Sequence, residues 1–307
     1  MNDTNISYAI VFPGQGSQFP GMADPWTTHA AGKAVLAEAS ESMATDVAKS
    51  CHDEELLATT EFVQPALLAC DVAAFRVLEA NGISPLGVAG HSLGEFAALV
   101  AAGVMSLAEA LDVVVVRGRA MQRAGEERPG TMSALLGAGT EAATALCDEA
   151  RGDDVLLVAN ENSAAQVVIS GSVPAIERAE KLAAARKIRA IRLNVAGAFH
   201  SPLMEPALEP IVERLAAIEL RAPRFPIAEN VSGTLVEDIG RLRELLGRHV
   251  VSPVKWESCV SALDNAGANV FVETGPGEVL TKLAKRIVPA ARAVAVGAPD
   301  AVRALTV

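Results

Sequence analysis

Aromatic residues are scarce in this chain, 4% of 307, with two Trp and one Tyr. Positive charge is short as well: 26 Lys and Arg stand against 37 Asp and Glu, a formal net charge of −11. A nucleic-acid binder needs a basic face to neutralise phosphates, so that class is set aside. The four cysteines, Cys51, Cys70, Cys147 and Cys259, lie far apart with no CxxC pair. They read as small buried hydrophobes of a reducing compartment, not as metal ligands or disulfides. The five histidines show no HExxH or related ligand spacing, and no metal or cofactor is expected. No leader pattern is visible: Met1–Ser7 carries an acid and no basic region, and the apolar run Tyr8–Phe12 is too short. The most hydrophobic stretch, Ala97–Val116, contains Glu109 and Asp112 and reads as two buried helical segments, not a membrane span. The expectation is a cytoplasmic protein with no membrane contact, and a monomer by default.

What is present is apolar. Half the residues are hydrophobic and 21% are charged, which excludes a disordered chain. At roughly 150 residues per domain, the length allows one large domain or two smaller ones. Strand-like apolar runs alternate with helical patterns, the signature of an α/β protein with a mainly parallel sheet. Tyr8–Phe12 is a buried strand ending in the loop Pro13-Gly14-Gln15-Gly16-Ser17-Gln18. Gln64-Pro65 opens a helix to about Ala80, with proline in its first turn and Asn81-Gly82 closing it. Leu86–Ala89 is a short strand, followed by Gly90-His91-Ser92-Leu93-Gly94-Glu95 and a helix through Ala102. The middle of the chain has its own order. Strands at Met132–Leu136, Val155–Asn160, Gln166–Ser170 and Arg189–Val195 enclose helices at Glu141–Arg151 and Val173–Lys187. That βαββαβ sequence is a ferredoxin-like unit. It divides the chain into a large α/β domain, 1–126 and 197–307, and an inserted small domain, 127–196, with a cleft between them.

Gly90-His91-Ser92-Leu93-Gly94 is a GxSxG pentapeptide placed between a strand and a helix, the context in which it marks a nucleophile. The turn lifts Ser92 out of the sheet, and flanking glycines remove side chains that would collide. At a helix N-terminus, free N–H groups favour developing negative charge, and the Leu93 N–H is placed to donate to an oxyanion. A glycine-rich turn with a capping serine is the plain alternative. A serine hydroxyl needs a base. His29 and His52 lie in a polar helical stretch, and His91 adjoins the nucleophile and should point away from it. His200 and His249 remain, and the residues alone leave both open.

Six motifs occur in order: Phe12-Pro13-Gly14-Gln15-Gly16-Ser17-Gln18, Gln64-Pro65-Ala66-Leu67-Leu68, Gly90-His91-Ser92-Leu93-Gly94-Glu95, Arg117-Gly118, Phe199-His200-Ser201 and Glu273-Thr274-Gly275-Pro276-Gly277. Together, from about Tyr8 to Pro289, they resemble malonyl-CoA:acyl carrier protein transacylases and the acyltransferase domains of polyketide synthases. The resemblance implies an α/β-hydrolase-like large domain with a ferredoxin-like insertion. It implies Ser92 as the acyl-accepting nucleophile, His200 as its base, and Arg117 as the grip on a malonyl carboxylate. A planar fork of N–H donors suits that task, and its charge cannot be titrated away. Gln15 matches the glutamine whose backbone N–H completes the oxyanion hole with that of Leu93; a phosphate-gripping loop is the alternative there. Gln64 matches a glutamine near the pocket, with helix capping an equal account. Asn160 and Asn162 share a strand face towards the cleft, or mark a polar strand end. Arg119 should be solvated. One position departs from the pattern. Where bacterial transacylases place a glutamine whose backbone carbonyl meets the catalytic histidine, this chain has His249. No carboxylate stands out as a third member.

The resemblance implies ping-pong transfer of a malonyl group from malonyl-CoA, through a Ser92 ester, to the phosphopantetheine thiol of a holo acyl carrier protein. Phe199 before the base and Leu93 after the nucleophile resemble the malonyl-selecting members. Methylmalonyl-selecting domains tend to have serine and glutamine there, and one methyl group is worth about 1–3 kcal/mol. A serine acyl hydrolase using the same pair, a transacylase for another dicarboxylic acyl unit, and a non-catalytic carrier-binding scaffold are the alternatives. An acidic carrier would meet local positive charge, either Lys181, Arg186, Lys187, Arg189 and Arg192 or Lys282, Lys285, Arg286 and Arg292. At least one cluster should border the cleft mouth; solvated helix faces are the alternative.

Overall fold

The computed structural model describes residues 6–305; Met1–Asn5, part of the segment read above for a leader, lie outside them. The run Tyr8–Phe12 forms strand β1. Short helices α1 (Asp24–Thr27), α2 (Ala30–Ser42), α3 (Val47–Ser50) and α4 (Glu54–Leu57) lead to the long α5 (Thr60–Ala80). Strand β2 (Pro85–Gly90) then turns into α6 (Gly94–Ala101), followed by α7 (Leu107–Glu127). The apolar stretch around Ala97–Val116 is thus two helices, and a capping box of Ser106 and Glu109 starts the second.

The insertion comprises β3 (Gly130–Leu136), α8 (Thr140–Arg151), β4 (Leu156–Ser163), β5 (Gln166–Ser172), α9 (Val173–Ala185) and β6 (Arg189–Arg192). After it come α10 (Leu208–Ala216), β7 (Ile227–Glu229), β8 (Thr234–Val236), α11 (Ile239–Gly247), α12 (Trp256–Asn265), β9 (Val270–Thr274), α13 (Val279–Ile287) and β10 (Arg292–Val296).

The larger sheet has the order β10-β9-β1-β2-β7-β8, parallel except for the β7–β8 edge pair. Alternation along β1 explains its two buried faces. Ile10 and Phe12 pack with α5, α6 and α7, while Ala9 and Val11 pack with α12 and α13. The second sheet, order β4-β5-β3-β6, is antiparallel throughout, as a ferredoxin-like unit requires. Leu135, Val167 and Ile169 bury against α8 and α9 on one face. Met132, Ala134 and Val168, on the other, join the main core. Met132 and Asn160 of the insertion line the cleft, so the insertion closes one side of the site.

Two element readings need correction. Helix α5 starts at Thr60, not at Gln64, so Pro65 sits inside it. Proline there forgoes only the bond to the Glu61 carbonyl, one turn from the helix start. Strand β6 stops at Arg192 instead of Val195: one further bond, Leu193 N–H to the Met132 carbonyl at 3.0 Å, ends the pairing. Leu193–Ala196 then leave the sheet and run along the cleft.

Candidate active site

Strands β1 and β2 are parallel neighbours with Phe12 opposite Gly90, so the loops that follow them emerge side by side. This brings Gln15 and Ser92 to one rim, where ligands of α/β sheets bind. Ser92 adopts φ +51°, left-handed backbone in a non-glycine residue. The turn is tight enough that a Cβ on Gly90 would lie 1.9 Å from the Gly94 carbonyl carbon, and one on Gly94 would lie 2.2 Å from the Phe12 oxygen. Only glycine fits at either position. His200, on the segment returning from the insertion, also has a positive φ of +57°. Strained backbone at two facing polar residues costs on the order of 1–3 kcal/mol each and is typical of sites held for chemistry.

The imidazole Nε2 of His200 lies 2.7 Å from Ser92 Oγ. Its Nδ1 faces two backbone carbonyls, His249 at 3.1 Å and Ser252 at 3.0 Å. Both are acceptors, so Nδ1 carries the proton and Nε2 is the free base facing the hydroxyl. Burial, reinforced by the nearby Arg117 charge, pushes the His200 pKa down to about 3. The imidazole is neutral at physiological pH. Among the described residues no carboxylate contacts His200; main-chain oxygens orient the ring.

Arg117 comes from the interior of α7 and is almost wholly buried. Its Nη1 donates to Gln64 Oε1 at 2.7 Å, its Nη2 to Ser92 Oγ at 3.2 Å, and its Nε lacks a partner. The guanidinium stacks 5.8 Å from the Phe96 ring centre. Burial lowers its pKa to about 10, still well above neutral, with Glu95 opposing the shift. Gln64 is no helix cap. It lies within α5, donating through Nε2 to Gln15 Oε1 at 3.3 Å. The cleft, a cavity of about 400 Å³, is lined by Gln15, Gln64, Ser92, Leu93, Arg117, Phe199 and His200, and further by Met121, Met132 and Asn160. His91 turns to Asn162, its Nε2 2.8 Å from Oδ1, and its ring meets Trp256. Arg119 is exposed and paired with Glu61.

Asn230 was not anticipated. It follows β7, whose Ile227 and Ala228 pair with Val88 and Ala89 of β2, so it arrives beside the elbow. Its Oδ1 accepts the Ser92 N–H at 2.8 Å and its Nδ2 donates to the Gly90 carbonyl at 2.7 Å. One amide thus clamps both sides of the strained turn. Glu95, fully buried in the first turn of α6, accepts the Asn230 N–H at 3.2 Å, and burial raises its pKa well above the usual carboxylate range. The only local sign was a polar pair, Glu229-Asn230, ending an apolar run. The His249 side chain is buried beside His200, ring centres 5.4 Å apart. Of the basic clusters, the insertion group ends on β6, which runs directly into cleft-lining Leu193–Ala196. Within it, Arg192 is bound by Glu180 and Arg186 by Glu149. In the other group Lys282 pairs with Glu278 and Arg286 with Gln166.

A hydroxyl against a neutral imidazole, at a helix N-terminus and beside a buried guanidinium, is the arrangement of a serine-dependent acyl-transfer enzyme on an α/β-hydrolase-like sheet. The chain belongs to the acyl transferase family: the model of the acyl transferase domain matches residues 9–301. The malonyl CoA-acyl carrier protein transacylase of Escherichia coli (strain K12) is 39% identical over 303 residues, covering 97% of this chain and 98% of its own. The crystal structure of the malonyl-CoA:acyl carrier protein transacylase from Xanthomonas oryzae superposes with a TM-score of 0.93 at 39% identity, covering 97% of each chain. A malonyl-transacylase solved in complex with a type II polyketide synthase acyl-carrier protein gives 0.93 at 37% identity, covering 97% of this chain and 98% of that one. Among the described residues no helix is long and apolar enough to cross a membrane.

Proposed function

We propose that this chain transfers a malonyl group from malonyl-CoA to the phosphopantetheine thiol of an acyl carrier protein, through an ester on Ser92. The observation that carries the reading is the placement of Ser92 Oγ between His200 Nε2 at 2.7 Å and Arg117 Nη2 at 3.2 Å. The names of the relatives support the same acyl unit and acceptor.

His200 takes the Ser92 proton as Oγ attacks the thioester carbonyl. The oxyanion is held by the N–H groups of Gln15 and Leu93, and Asn230 keeps the Ser92 turn from relaxing. The carbon–sulfur bond breaks, the proton on His200 passes to the CoA sulfur, and the malonyl-serine ester remains. In the second half the carrier thiol gives its proton to His200 and attacks the ester carbonyl, the bond from that carbon to Ser92 Oγ breaks, and His200 returns the proton to Oγ. Arg117 holds the malonyl carboxylate, and Gln64 fixes the guanidinium plane. Phe199, Met121 and Met132 close the pocket and favour the unbranched malonyl unit over methylmalonyl. The insertion, residues 127–196, acts as a small domain on the large one, 1–126 and 197–307. Its basic group receives the acidic carrier. Every group named comes from one chain, so a monomer suffices, and four buried free thiols suit the cytoplasm.

The test is the fate of the isolated malonyl-enzyme. Discharge to holo carrier protein should outpace discharge to water by orders of magnitude; equal rates would make the chain a hydrolase.

A further inference from the structure

We propose that the imidazole of His249 is a positioning residue that ties the base to the nucleophile's turn. This rests on the transfer reading above.

His249 reaches the site twice. Its backbone oxygen accepts the proton of His200 Nδ1 at 3.1 Å. Its side-chain Nε2 lies 3.4 Å from Asn230 Oδ1 and 3.6 Å from Glu95 Oε2. Asn230 Oδ1 is already committed as the acceptor of the Ser92 N–H, because the same amide's nitrogen donates to Gly90. Nε2 must therefore be the donor, which fixes the tautomer and leaves Nδ1 bare. Nδ1 is buried without a partner, as is Glu95 Oε1. A leucine of similar bulk would avoid that desolvated nitrogen, so packing alone gives no reason for an imidazole here.

The consequence is a closed loop of contacts: Ser92 N–H to Asn230, Asn230 to the His249 ring, His249 carbonyl to His200, and His200 Nε2 back to Ser92 Oγ. The two residues whose separation sets the reaction, both on left-handed backbone, are thereby referenced to a single third residue. Neither the β2 turn nor the loop carrying His200 pairs with the other in a sheet, so nothing in the ladders fixes their distance. A displacement of about 1 Å in such a pair costs about 100-fold in rate.

The experiment measures the single-turnover acylation rate by malonyl-CoA, with its half-saturation concentration, for wild type, His249→Leu, His249→Gln, Asn230→Ala and the double variant His249→Leu/Asn230→Ala, with thermal melts of each. The leucine variant should acylate about 10- to 100-fold more slowly at saturation, with half-saturation within about 2-fold because no substrate contact is lost. Glutamine, whose side-chain amide can donate to the same oxygens, should recover most of that loss. In the double variant the leucine change should add little to the loss from Asn230→Ala. A wild-type rate for leucine, a loss confined to half-saturation, glutamine no better than leucine, or full additivity would each overturn the proposal. His249→Met replaces leucine should leucine fail to fold. If wild type itself takes no malonyl group, the transfer reading fails instead.

Discussion

Replacing Arg117 by alanine removes the one guanidinium that lines the cleft among the described residues, and the structure separates its two effects. In the free enzyme Nη1 is held by Gln64 and Nη2 rests on Ser92 Oγ, and the residue lines the cleft. A charge-assisted hydrogen bond to such a group contributes about 1.5–3 kcal/mol, and two together about 3–4 kcal/mol after partial non-additivity. That corresponds to roughly 100- to 1,000-fold in kcat/KM for malonyl-CoA. Acetyl-CoA has no carboxylate and should lose only what the Ser92 contact is worth, about 10-fold at most. The assay is single-turnover acylation with each thioester in turn, beside a melt to show that the variant folds. The ratio of the two losses isolates the carboxylate. Equal losses for the two substrates would refute the role given to Arg117, as would an unchanged malonyl rate.

Other outcomes follow from the same structure. Phe199→Ser opens the pocket beside the base, and the preference for malonyl over methylmalonyl in a competition assay should fall by about 10-fold; an unchanged ratio would exonerate Phe199. Asp71 is fully buried with neither carboxylate oxygen partnered, and burial, with Glu273 adding to it, raises its pKa well above the usual range. The unfolded chain releases that proton at lower pH than the folded one, so the group's contribution to stability falls as pH rises above about 4. Asp71→Asn should therefore melt a few degrees higher than wild type at pH 8, about 2–4 °C per kcal/mol, with the gain vanishing near pH 4; a gain independent of pH would contradict the linkage. Reversing Lys181 and Arg189 to glutamate should raise the apparent KM for carrier protein about 10-fold and leave acylation by malonyl-CoA unchanged. No change in that KM would remove the insertion from carrier docking.

Legibility in the sequence followed the range of the interactions. The GxSxG turn is local: strand, glycine spacing and helix lie within a dozen residues, and each leaves a mark on composition. The insertion's strand and helix order was readable for the same reason. Pro65 misled because proline usually opens a helix, and nothing nearby in the sequence shows that the chain is already helical from Thr60. The choice between His200 and His249 could not be made from spacing, since both stand far from Ser92 in sequence. Asn230 was invisible because its place depends on β7 lying beside β2, a pairing between segments some 140 residues apart. The His249 carbonyl was legible only through the family resemblance, and the Ser252 carbonyl left no trace, since any residue type supplies a backbone oxygen.

The central claim, that Ser92 carries the malonyl group, is tested most directly by intact-protein mass after brief mixing with malonyl-CoA. Wild type should gain one malonyl group, lost again on adding holo carrier protein, and Ser92→Ala should gain none. A malonyl adduct on the alanine variant, or none on wild type, would contradict the account.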